Sequence, residues 1–227
     1  MDQCADMTYT ELVDAVLAYT QNYEDTFIAN IPVFVRQVEQ RVYNTVQIPA
    51  LRRNQTGVLT TGNKYLSAPP DFMAVYSLAV IDADGSYHYA LDKDVNYIRE
   101  AYPSPADTGL PQHYAIFGPT TVGSTITNEL SFIVGPTPDA SYGVEMHYYY
   151  YPESIVTAGT TWLGDNYDPV LLYGTLREAY LFMKGEADML TAVDIGYKEA
   201  MNQLKRLGDG LEREDAYRSG QVRVKVT

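Results

Sequence analysis

The spacing of apolar residues changes twice along this chain of 227 residues, and that change limits the folds open to it. Toward both ends the apolar positions recur every three or four residues, as on one helix face. Between Thr56 and Pro152 the runs are short, rich in β-branched and aromatic residues, and broken by glycine, proline and aspartate. Thr8 and Glu11 have capping-box spacing, with Leu12, Val13, Val16 and Leu17 following on one face. The pattern predicts a second helix from Asn30 as N-cap, with Pro32 in its first turn and Phe34, Val35, Val38, Val42 and Val46 as its stripe. Pro49 is expected to stop it.

In the middle stretch, Gly62-Asn63-Lys64 reads as a turn between Val58–Thr60 and Tyr65-Leu66. The run Ala74–Ile81 reads as a strand that reverses at Asp82-Ala83-Asp84-Gly85 into Tyr87, Tyr89 and Leu91. A short helix or turn is expected over Lys93–Tyr102. Further strands are expected at Tyr114–Phe117, Leu130–Val134 and Gly143–Tyr151. Helix returns with Asp168 as N-cap and Pro169 at the first helical position, ending at Gly185. A last helix is expected from Ala187 to Leu207, loosened or ended by Gly208 and Gly210.

Terminal helices can share a core only if the strands between them are an insertion. The expected class is α+β. A helical bundle from residues 1–55 and 160–215 carries an inserted antiparallel β-rich domain, 56–159, and an extended C-terminal tail, 216–227. In that tail Val222, Val224 and Val226 alternate with Arg223 and Lys225, so an extended strand has one apolar and one basic face. Val222–Val226 is therefore a candidate docking strand for an open sheet edge on another subunit, against the alternative of a frayed terminus.

Composition excludes several functions. The 29 acids against 16 bases give a net charge of −13, a surface that repels phosphate and argues against sequence-seeking nucleic-acid binding. A single cysteine, Cys4, rules out an intrachain disulfide and a cysteine zinc cluster. No apolar run approaches the roughly 20 residues that span a bilayer. Acids at Asp2 and Asp6 stand where a signal peptide carries bases, so the expectation is a chain made in the cytoplasm that stays there or leaves inside a particle.

No catalytic signature is present. His88, His113 and His147 lie far apart on expected strands, and no HExxH, GxSxG or phosphate-loop pattern occurs. Asp82 and Asp84 lack the further ligands of a calcium loop, and Cys4 has nothing to activate it. The expectation is no catalytic residue, no metal and no cofactor.

Tyrosine is the compositional outlier, with 21 copies against six Phe and one Trp. Four lie in Tyr148-Tyr149-Tyr150-Tyr151, and on a strand their rings alternate between the two faces of a sheet. One face can be core, and the other needs cover, which makes the run a candidate aromatic interface. A second reading makes it a carbohydrate platform on a β-rich virion module. A third places a hydrolase site on histidines brought together in space.

Several segments, in order, resemble the head-to-tail adaptor family of tailed bacteriophages. They are Ala68-Pro69-Pro70-Asp71-Phe72, Gly109-Leu110-Pro111-Gln112-His113-Tyr114-Ala115, Tyr149-Tyr150-Tyr151-Pro152, Thr161-Trp162-Leu163, and Tyr167-Asp168-Pro169-Val170-Leu171-Leu172-Tyr173-Gly174. The likeness runs over roughly residues 8 to 210 and implies a connector subunit similar to tail tubular protein A of short-tailed phages. It implies a virion structural protein in the neck, not an enzyme, and a homo-oligomeric ring of about twelve copies. The ring would meet the portal on one side and a tail or nozzle protein on the other. Duplex DNA would pass through its lumen without sequence-specific binding, and no membrane would be involved. The basic tail matches no motif of the family.

If the tail docks on a partner, deleting Gln221–Thr227 leaves the monomer folded and weakens assembly, and Val224→Asp has the same effect. Normal particles from either variant, scored by electron microscopy, would exclude docking.

Overall fold

The structure, a computed structural model, describes residues 7–218 apart from 47, 119–120, 123–124 and 127–129, with side chains left out at 119–129 and 211–218. It is an α+β protein that divides into two compact units. One comprises Met1–Leu51 with Pro152–Thr227, and the other Arg52–Tyr151.

The first unit holds α1 (Tyr9–Thr20), α2 (Asp25–Thr45), a 3-10 turn at Pro49–Leu51, α4 (Ile155–Ala158), α5 (Trp162–Asn166), α6 (Asp168–Met183) and α7 (Ala187–Arg218). The capping box at the start of α1 is complete. Glu11 N donates to Thr8 Oγ1 at 3.3 Å, and Thr8 N donates to Glu11 Oε2 at 2.8 Å. Leu12 and Val16, Phe27, Ile31, Val35, Val38 and Val42, Leu171 and Leu176, and Leu204 are fully buried from four different helices. At the crossing of α2, α6 and α7, Gly174 lets the backbones close up. A Cβ there would overlap Val38 Cγ1 and reach 3.1 Å from the Tyr197 ring.

Glu39 is the buried carboxyl of this unit, 3% exposed on α2. Its Oε1 accepts from Ile155 N at 2.8 Å, holding the start of α4 where the chain re-enters the unit. Burial pushes its pKa up, against the opposing pull of the hydrogen bonds from Ile155 and Ser154.

Four boundaries differ from the sequence expectations. The second helix starts at Asp25, not Asn30, because Phe27 and Ile31 extend the buried stripe one turn and a half upstream; Pro32 sits inside the helix. The cap of α6 is Tyr167, one residue early, because α5 leads directly into it, and the helix ends at Met183 with Lys184 left-handed. The last helix runs through Gly208 and Gly210 to Arg218, since two glycines cost about 1 kcal/mol each against the propagation of a long helix. Of the expected extended tail at 216–227, residues 216–218 are therefore helical, and Val222–Val226 lie outside the described residues. The insertion runs from Arg52 to Tyr151 rather than 56 to 159, because strand pairing begins at Arg52 and Ser154 already caps α4.

The second unit is two facing four-stranded sheets with a small two-stranded ribbon that pairs Thr121–Val122 with Thr125–Ile126. Its elements are β1 (Arg52–Leu59), β2 (Tyr65–Ser67), β3 (Phe72–Ile81), β4 (Tyr87–Tyr89), β5 (Leu91–Asp92), α3 (Val95–Ala101), β6 (His113–Phe117), β7 (Thr121–Val122), β8 (Thr125–Ile126), β9 (Ser131–Gly135) and β10 (Tyr142–Tyr150). The first sheet is antiparallel in the order β1-β10-β3-β4; the second has the order β2-β9-β6-β5, with β5 and β6 parallel. The turn at Gly62 thus joins strands of different sheets. Leu59, Phe72, Leu78, Val80, Val144 and Met146 from the first sheet pack on Tyr114, Phe132 and Val134 from the second. The hairpin at Asp82–Gly85 forms as expected, with Asp82 Oδ1 accepting from Asp84 N and Ser86 N, both at 2.9 Å. Helix α3 covers the far side of the second sheet through Ile98, on Ala115 and Ile133.

Because the folded carboxyl of Glu39 holds its proton more tightly than in the unfolded chain, its stabilising share is fully present below the ordinary glutamate pKa. That share is lost as pH rises through the folded value. Glu39→Gln keeps the acceptor for Ile155 N and removes the charge. Its urea midpoint is expected to exceed the parent's at pH 8 and to approach it near pH 4.

Candidate functional site

The tyrosine run ends β10 beside the first residues of β1, where Arg52 pairs with Tyr149 and Arg53 with Tyr148. Tyr148 turns into the core, 6.0 Å from the Phe72 ring, and its hydroxyl donates to Asp71 Oδ1 at 2.9 Å. Burial, and then this bond to Asp71, raises the Tyr148 pKa. Asp71 Oδ2 accepts from the Arg53 guanidinium at 2.7 Å, and its carbonyl accepts from Tyr151 N at 2.9 Å. The same Arg53 lies 3.9 Å over the Tyr150 ring. On the opposite face Arg52 donates to the Tyr149 hydroxyl at 2.8 Å and lies 3.8 Å over Tyr76.

This closes a clamp around the two strands by which the chain enters and leaves the unit. Most of the run Tyr148–Tyr151, the expected aromatic interface, is covered within this unit. Tyr148 and Tyr149 are 2% and 6% exposed, and the cover comes from the unit's own arginines and Tyr76. Of the four rings, Tyr151, 42% exposed, stands out at the surface.

The histidines go to separate partners. His88 Nε2 meets Asp82 Oδ2 at 2.8 Å, His113 Nδ1 meets the Tyr102 hydroxyl at 3.0 Å, and His147 Nε2 lies 3.6 Å from Glu145. Strand pairing does set Ser77 beside His147, with Glu145 two residues along. Among the described residues, however, no hydrogen bond joins Ser77 to His147, and Glu145 is engaged by Tyr87 and Asn54. The backbone N–H groups around a mid-sheet serine belong to the strand ladder, leaving no oxyanion site. No cluster of three metal-binding side chains occurs among the described residues. No described helix is long and apolar enough to cross a membrane.

The feature that sequence reading missed is a trough on the outer face of the first sheet, about 240 Å³ in volume. Its floor is Ser77 and Ala79 on β3, and its walls are Tyr87 and Tyr89 on β4 and Glu145 and His147 on β10. Small floor residues between tall walls make the hollow. The hydrogen bond from Tyr87, then that from Asn54, holds the Glu145 carboxyl below the ordinary glutamate range. The Tyr-X-Tyr and Glu-X-His alternations were visible in the sequence, but the register that sets Ala79 opposite both Tyr89 and Glu145 was not.

A family model described as SU10 adaptor protein matches residues 7–225. The chain belongs to this family. No curated protein matches it. The SU10 adaptor family is one of phage structural adaptors, virion components of the head–tail junction. In this adaptor the match spans both units, so the inserted sheets are part of the family's body plan rather than an addition to it.

Removing Asp71 tests the clamp. Asp71→Ala leaves the buried Tyr148 hydroxyl with only Gln55 Oε1, at a long 3.4 Å, as acceptor and is expected to cost about 1–3 kcal/mol in urea unfolding. Arg53→Ala, which breaks a half-exposed ion pair, is expected to cost about 1 kcal/mol or less.

Proposed function

We propose that copies of this adaptor assemble into a ring below the portal, similar to the rings of tail tubular protein A, extending the DNA channel and giving the tail its platform. The observation that carries this reading is the family match over residues 7–225. The helical unit offers surface suited to side-by-side contact, with Ile28, Leu181, Phe182, Met189 and Ile195 between 37% and 60% exposed. Leu181 and Leu190 also line a hollow of about 270 Å³ between α6 and α7, which suits a neighbour's side chain.

Charge fits the transport role. At −13 per copy, about twelve copies carry roughly −150 before counterions condense. A wall of that sign repels phosphate within a Debye length of about 8–10 Å, so duplex DNA slides without sticking. The work is mechanical: to join portal to tail or nozzle protein, and to line a passage. Assembly would take place in the host cytoplasm, on a filled or filling head.

Electron microscopy of the purified chain and of virions tests the reading. The expected result is a closed ring of this chain, alone or at the neck. A chain that stays monomeric and is absent from the neck overturns it.

A further inference from the structure

The trough on the first sheet is built to receive a cation. Its carboxylate, Glu145, is positioned by Asn54 and Tyr87 and kept ionised, and its side chain is 18% exposed, so it faces the opening without being lost in solvent. Tyr87 and Tyr89 stand 52% and 67% exposed on the wall opposite, presenting ring surface to whatever lies over Ala79. A carboxylate facing tyrosine rings across a small-residue floor is the arrangement that holds an ammonium or guanidinium group. The base nearest this carboxylate is His147 in the trough wall, with Nε2 3.6 Å from Glu145; Arg52 is four pairing rows away and stacked on Tyr76. Among the described residues no lysine or arginine pairs with Glu145, so an ammonium or guanidinium for this site is one brought from outside the sheet.

The chain carries a fitting donor. Beyond α7 it continues for nine residues, Ser219–Thr227, with Arg223 and Lys225 and no acid. Fully extended, nine residues reach about 30 Å. Arg223 and Lys225, two positions apart, project to the same side of an extended segment. The spacing between the Glu145 and His147 rows is also two residues. The receiving unit, Arg52–Tyr151, has ten acids and five bases, so the long-range field also favours a basic segment.

We propose that the trough of Tyr87, Tyr89, Glu145 and His147 is a docking seat for the basic C-terminal segment of a second copy, with Arg223 or Lys225 placed against Glu145. This rests on the reading that copies of the chain assemble, and it names one contact between them.

The test uses the full chain carrying Arg223→Ala and Lys225→Ala, whose own basic side chains cannot fill the seat. A fluorescent synthetic peptide of residues 219–227 is titrated into it and followed by anisotropy. Saturable binding is expected, weakened roughly tenfold or more by adding Glu145→Gln or, separately, the exposed-site change Tyr89→Ala. A peptide with both bases replaced by alanine should not bind. Binding that is indifferent to Glu145→Gln and Tyr89→Ala, or no binding at millimolar peptide, overturns the seat. Rings that form while the peptide fails to bind remove the seat and leave the ring; peptide binding by a chain that never forms rings does the reverse.

Discussion

A helical chain that breaks off at Leu51 and resumes at Pro152 must bring two distant points together and hold them. Closing an excursion of that length costs about 4 kcal/mol beyond a constant, from the logarithm of loop length. The structure meets this at the point of closure. β1 and β10 run antiparallel from Arg52 opposite Tyr149, so the first residue out is hydrogen-bonded to nearly the last residue in. Arg52 and Arg53 then bind tyrosines on both faces of that pair, and Asp71 ties Arg53, Tyr148 and Tyr151 to β3. In the helical unit, Glu39 does the matching work by capping α4 as the chain returns.

Much of this organisation was legible in local chemistry. The Thr8–Glu11 box and the Asp82–Gly85 reversal are contacts between residues two to four apart, which a linear reading can see. The errors came where tertiary burial outvoted a local signal. Pro32 looked like a first-turn proline, yet Phe27 and Ile31 reach the core only if the helix starts earlier. Gly208 and Gly210 looked like an end, yet the helix passes through them. The tyrosine run shows the limit most plainly. Alternation correctly predicts two aromatic faces, but the arginines that cover them come from nearly a hundred residues upstream, through strand register. The trough was hidden for the same reason, since its floor and its two walls lie on three strands.

Nine of the twelve tyrosines of the β unit fall into two roles, and Tyr102, Tyr142 and Tyr150 are half-buried between them. Tyr114, Tyr148 and Tyr149 serve the interior or its edge, with their hydroxyls led to polar partners or the surface. Tyr65, Tyr76, Tyr87, Tyr89, Tyr97 and Tyr151 remain between 42% and 67% exposed. A chain with so few Phe and Trp therefore carries its sticky surface in a form that water tolerates, useful for a part that must stay dispersed before it is built into a particle.

Gly174 has a mechanical meaning. With only hydrogen at that position, α6 sits hard against Val38 of α2 and Tyr197 of α7, and no side chain can rotate away to open a gap. Sliding α6 by one residue would drive the neighbouring Tyr173 or Thr175 into the same spot. The three helices are thus keyed together like a tongue in a slot. Force applied to this unit would therefore meet three helices in fixed register rather than helices free to slide.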